Sequence, residues 1–170
     1  MIKQLVADSI NAQLTREMYS SNLYLSMSAY FSSINLNGFA NWMRVQAQEE
    51  MFHALKFFDY LLDRGGVSKV GAISAPPSSW DSPLAAFQDA FHHEQLVTDS
   101  INQMAELAMK ENDFATNIML QWFISEQVEE EKNANDIVER IKLAGDSRSG
   151  LFLLDSELKT RVFVPPPPTK

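Results

Sequence analysis

The chain has 170 residues, 45% of them hydrophobic, which is enough to bury one domain's core without staples. It has no cysteine, which excludes a disulfide framework and a thiolate metal site. A formal net charge of −8, with 14 basic residues against 22 acidic ones and no basic stripe, argues against nucleic-acid binding and for attraction of cations.

The first helix is predicted from about Ile2 to Ser33, with an inward stripe of Ile10, Leu14, Glu17, Ser21, Tyr24, Ser28 and Phe31. The segment NLNG, Asn35 to Gly38, breaks it. A second helix follows from about Phe39 to Arg64, with stripe Phe39, Met43, Gln46, Glu50, His53, Phe57 and Leu61, and Gly65-Gly66 stops it. A stretch without helical period comes next. Ser82 as N-cap and Pro83 at the first helical position open the third helix, with stripe Phe87, Phe91, Glu94, Thr98, Ile101, Ala105 and Ala108. After the turn KEND, Lys110 to Asp113, a fourth helix runs to about Ala144, with stripe Leu120, Phe123, Gln127, Glu130, Ala134, Ile137 and Ile141. A short fifth helix, Leu151 to Thr160, ends the domain of residues 1–160. Residues 161–170 form a proline-rich tail that reads as an extended surface segment.

Four long amphipathic helices predict an all-α four-helix bundle. Short turns make helices one and two antiparallel, and likewise three and four. The middle connection of about 17 residues can span roughly 55 Å when extended, whereas a helix of this length covers roughly 40 Å. One long crossover between the second and third helices is therefore expected, leaving those two parallel. No run of 18 apolar residues exists, so no membrane span is expected. The opening MIKQLVADSI lacks a signal-peptide pattern, and the expected compartment is the cytoplasm.

Each stripe turns polar near its middle: Glu17 on the first helix, Glu50 and His53 on the second, Glu94 on the third, Gln127 and Glu130 on the fourth. Mid-helix residues meet at one level whichever way the helices point. A buried carboxylate is costly unless paired, protonated or bound to a cation, and several together repel one another. No stripe carries a Lys or Arg at that level. A divalent metal resolves both problems, and mixed oxygen and imidazole ligands suit iron, manganese or zinc. Di-iron bundles take a Glu from each of two helices and Glu-x-x-His from each of the other two. Here Glu17, Glu94 and Glu50-x-x-His53 fit, while Gln127-x-x-Glu130 replaces the second Glu-x-x-His. An asymmetric pair follows: Glu17 and His53 on one iron, Glu50 bridging, and Glu94 with weaker help from Gln127 on the other. A weakly held second ion suits a site that passes iron on.

Glu17, Tyr24, EEMFH (Glu49 to His53), HHEQ (His92 to Gln95) and QWFISEQVEEE (Gln121 to Glu131) resemble the bacterial non-haem ferritins, with matches on all four long helices over about residues 1–160. The resemblance implies a ferritin-like bundle in a hollow cage, usually of 24 subunits, that oxidises Fe(II) with O2 or H2O2 and stores ferric mineral. It implies Glu17, Glu50, His53, Glu94 and Gln127 as ferroxidase ligands. It also implies Glu49, Glu126, Glu129 and Glu130 as a third iron site between the di-iron centre and the cavity. Tyr24 and Trp122 match aromatics beside the centre. Asn117 and Leu120 stand at about the positions where animal ferritins carry acidic pore residues.

Other readings remain open. A stand-alone di-iron oxidase of the rubrerythrin kind is disfavoured by the missing second Glu-x-x-His and the missing cysteine cluster. A haem-binding bacterioferritin would place its methionine at Met51, for which packing at a dimer contact is the expected role. A DNA-protecting mini-ferritin builds its site across an interface, whereas one chain here supplies every ligand. A helical interaction module would use the polar centre only to set register. His92 and His93 read as surface or subunit-contact residues.

Overall fold

The computed structural model describes residues 1–165. Five helices succeed one another: α1 (Gln4–Ser33), α2 (Asn37–Asp63), α3 (Pro83–Lys110), α4 (Phe114–Ala144) and α5 (Arg148–Leu158). No strand occurs among the described residues. Local chemistry sets these limits. Ser82 Oγ accepts from Ala85 N at 3.0 Å, and Asp113 Oδ1 from Thr116 N at 3.1 Å, so α3 and α4 start with satisfied caps. Asn35 (φ 63°) and Gly65 (φ 67°) take the left-handed turn that ends α1 and α2. The fifth helix begins earlier than the sequence pattern predicts, where Ser147 Oγ accepts from Gly150 N at 3.1 Å, and it also ends earlier, at Leu158.

The side-chain pairings give the directions. Ser21 Oγ donates to Ala47 O and Ser28 Oγ to Ala40 O, so residue numbers fall along α2 as they rise along α1. Gln46–Glu130 and Tyr60–Thr116 run the same way between α2 and α4. Ser20–His93 and Gln13–Ser100 do so between α1 and α3. Hence α2 and α3 are parallel, and the segment between them crosses the length of the bundle. The Asn11 side chain fixes that crossover against α1: its Nδ2 donates to Val67 O at 3.0 Å and its Oδ1 accepts from Lys69 N at 2.6 Å.

Two apolar clusters fill the bundle, one at each end. The first gathers Phe31, Phe39, Trp42, Met43 and Phe87; the second gathers Leu14, Phe57, Leu61, Ile101 and Phe123. The rings of Phe57 and Phe123 stack with centroids 4.0 Å apart. Every expected stripe residue of α1, α2 and α4 is buried. On α3 the buried face is rotated: Ala90, Val97 and Met104 are buried, while Phe91, Thr98 and Ala105 are only half-buried. Leu120 is fully buried in the second cluster.

Helix α5 docks on the start of α2. Asp155 Oδ1 accepts from Gly38 N at 2.7 Å and from Phe39 N at 3.1 Å, capping α2 from outside its own sequence. A Cβ on Gly38 would lie 1.6 Å from the Asp155 carbonyl oxygen. Gly38→Ala is therefore expected to unseat α5 and lower stability by about 1–3 kcal/mol, the range for overpacking; thermal melts of both proteins check it, and an unchanged Tm refutes the docking.

The described part of the tail, residues 161–165, is not helical, and Val162, Val164 and Pro165 are exposed. Arg161 and Phe163 are half-buried against α2. The prolines at 166–168 lie outside the described residues.

Candidate metal centre

Between the two apolar clusters lies a polar layer in which Glu17, Glu50, His53, Glu94, Gln127 and Glu130 are all buried. Helical spacing delivers them: Glu50 and His53 are one turn apart on α2, and Gln127 and Glu130 on α4. His53 Nδ1 lies 3.5 Å from Glu50 Oε2. Glu17, Glu50 and His53 each offer a ligand atom within 4.8 Å of the other two, and so do His53, Glu126 and Glu130. The imidazole thus belongs to two adjoining three-residue groups, one toward α1 and one toward α4.

Glu94 joins neither group. Its carboxylate accepts from the Tyr24 hydroxyl and from Gln127 Nε2, the latter at 3.2 Å. Tyr24 is thereby a hydrogen-bond partner of a candidate ligand, and Gln127 reaches the same carboxylate. Glu129 is exposed, and Glu49 is half-buried with its carboxylate on Arg161. Trp122 packs edge-on to the His53 ring at 5.4 Å, with Lys56 Nζ 4.2 Å from the centre of its ring.

The electrostatics are those of carboxylates held out of water. Burial, then the negative charge of Glu50, pushes Glu17 up to about 8. Burial and the facing carboxylates raise Glu50 and Glu130 as well. Burial, then Glu50, raises Glu94, although its bonds from Tyr24 and Gln127 oppose the shift. Tyr24 is raised by burial and by the Glu94 charge, so it stays a hydroxyl donor.

Two glutamines that the sequence pattern did not single out as site residues hold this layer in shape. Gln46 Nε2 donates to Glu50 Oε1 at 3.0 Å and to Glu130 Oε2 at 2.7 Å, joining α2 to α4. Gln13 Nε2 donates to Glu17 Oε1 at 2.8 Å. Their position one turn before a candidate ligand was the available signal. His93 also departs from the surface reading: its Nε2 contacts Ser20 Oγ at 2.8 Å, and Tyr19 and Tyr24 flank its ring. Its neighbour His92 is exposed.

Among the described residues, Glu17 Oε2 and Gln46 Oε1 are buried without a hydrogen-bond partner. An orphaned carboxylate oxygen inside a group of three ligand atoms is what a cation would satisfy. The donor set of carboxylates and one imidazole fits iron.

A ferritin-like domain model matches residues 7–144. The chain belongs to the ferritin family. It is 46% identical over 161 residues to a bacterial non-heme ferritin of Bacteroides fragilis strain 638R, covering 95% of this chain and all of that protein. It is 41% identical over 160 residues to the bacterial non-heme ferritin of Escherichia coli O157:H7, covering 94% and 97%. Among solved structures, an open pore ferritin from the hyperthermophilic archaeon Archaeoglobus fulgidus superposes with a TM-score of 0.95 at 51% identity, covering 95% of this chain and all of that one. The ferritin relatives thus span both the four long helices and α5.

Proposed function

We propose that the chain is an iron-storage ferritin whose polar layer is a ferroxidase centre. The observation that carries this reading is the buried group of Glu17, Glu50 and His53 with one orphaned carboxylate oxygen, inside a ferritin-family bundle. Fe(II) is the substrate. Glu17 and His53 take one ion and Glu50 bridges to a second. Glu94 takes the second when it exchanges its Tyr24 hydrogen bond for the metal, with Gln127 as the weaker partner. Two Fe(II) give one electron each to O2, which leaves as peroxide after taking up two protons. The protein's part is to hold two ions side by side in a dry, negatively charged layer and to keep Tyr24 as a donor beside them.

The ferric product then passes by way of the third iron position, Glu49, Glu126, Glu129 and Glu130, into the cavity of a homo-oligomeric cage of 24 subunits. The buried ligands supply a further expectation. A carboxyl raised to about 8 holds its proton at neutral pH, and a metal replaces that proton. Anaerobic Fe(II) binding in weak buffer at neutral pH is expected to release at least one proton per chain; uptake, or no change, would contradict binding at these carboxyls.

No helix among the described residues is long and apolar enough to cross a membrane, and the cytoplasm is the proposed compartment. Sedimentation and iron loading test the storage reading. A particle of several hundred kilodaltons that accepts hundreds of irons is expected. A small oligomer saturating at two irons per chain would instead support the stand-alone oxidase.

A further inference from the structure

Beyond α5 the chain turns back across α2 and delivers one cation to the acidic exit of the polar layer. Asn41 Nδ2 on α2 holds this return by donating to three carbonyls, those of Leu158 and Lys159 at 3.3 Å and of Arg161 at 3.0 Å. The Arg161 guanidinium lies over the Trp42 ring, 4.3 Å from its centre. Its Nη1 donates to Trp42 O at 3.3 Å, and its Nη2 donates to Glu49 Oε2. Phe163 then packs toward Phe52, with ring centroids 6.4 Å apart. The guanidinium and its carboxylate partner are both mostly covered, with 20% and 23% of their side chains exposed, so this pair is less screened than an open surface pair.

We propose that Arg161 is a positioning residue, a counter-ion latch on Glu49 that an iron ion must displace to use that carboxylate at the third position. This rests on the ferritin reading above. Its physical basis is competition for one carboxylate. Glu49, Glu126, Glu129 and Glu130 act on one another as like charges. Arg161 neutralises part of that charge while no ion is there, opposing the rise that burial imposes on Glu49. When a dication arrives, a charge-assisted hydrogen bond and its guanidinium must be given up. The third position therefore holds iron more weakly than its carboxylates alone would, which suits a place of transit. Arg161 hydrogen-bonds to Glu49 and to the Trp42 carbonyl and contacts none of Glu17, Glu50 and His53, so its loss should act chiefly at the third position.

Arg161→Gln tests the proposal by anaerobic calorimetric titration of Fe(II) into the assembled protein. The variant should bind the third ion per chain roughly tenfold more tightly, a typical coupling between two sites, with the two tight ions unchanged. In a Glu49→Gln background the Arg161→Gln change should add nothing. Equal third-ion affinity in wild type and Arg161→Gln, or an equal gain at all three ions, overturns the latch while leaving the third position standing. No third ion in either protein overturns the third position itself, and the latch with it. Should the variant fail to fold, crystals of the unaltered protein soaked anaerobically in Fe(II) decide the matter: the latch requires an ion on Glu49 with Arg161 turned away, and an ion at Glu126 and Glu130 with the Arg161–Glu49 pair intact excludes it.

Discussion

Replacing Glu50 with alanine is expected to slow oxygen-dependent Fe(II) oxidation by on the order of a hundredfold or more, to the rate in buffer. Removing even a partner of a metal ligand commonly costs 10–100-fold, and in the proposed centre Glu50 serves both ions. It lies beside His53 in the first group and is tied by Gln46 to Glu130 in the second. The fold should survive, because Glu50 supplies no apolar contact to either core cluster. Burial first, then the Glu130 charge, raises Glu50 above the ordinary carboxylate range, so its removal takes away a group that is costly to bury. Far-ultraviolet circular dichroism together with ferric absorbance and oxygen uptake checks both halves. If the variant kept the wild-type rate, the polar layer would be a register device, and the bundle would serve as an interaction module.

The second large effect is on the metal-free protein. Glu17 stands at about 8 in the fold against 4.5 as an exposed glutamate, and Glu50, Glu130 and Glu94 shift the same way. Between these values the folded state holds protons that the unfolded chain has lost. Stability from each group is complete below its unfolded pKa and is lost as pH rises through the folded one. Burial pushes His93 down to about 4 despite Asp89, and this acts in the opposite sense, but only below its ordinary value of 6.5. From about pH 6.5 to 8.5 the carboxyls act alone, and with metal chelated the stability should fall by a few kcal/mol. Thermal melts across that range check it. Glu17→Gln should flatten the slope and raise the metal-free Tm at the alkaline end, while weakening the first ion's binding. Excess Fe(II) under anaerobic conditions should cancel the slope in wild type. A metal-free Tm that rises with pH would contradict the burial of protonated carboxyls.

The inward faces of α1, α2 and α4 are legible in the sequence because their helical period is apolar outside the polar layer, apart from serines such as Ser28 that bond backbone carbonyls. The face of α3 is less so. Its pattern offers Phe91 and Ala105 as plausibly as Ala90 and Met104, and only packing against α1 and α4 chooses between them. The group of Glu17, Glu50 and His53 could be read from spacing alone, since helical period and shared level were sufficient. The supporting glutamines were not read so: Gln46 lies on a stripe, where an amide looks the same whether it bonds a ligand or backbone, and Gln13 lies beside one. Arg161 had no periodic signal at all. It follows the last helix in an irregular segment, and its return to Glu49 depends on Asn41, 120 residues earlier.

The most direct test of the account is Mössbauer spectroscopy of protein loaded anaerobically with two 57Fe(II) per chain and frozen soon after oxygen is added. A magnetically coupled pair of ferric ions is expected in wild type, formed in high yield and absent in Glu50→Ala. Isolated ferric ions in wild type, one to a site and uncoupled, would contradict a two-iron centre in this layer.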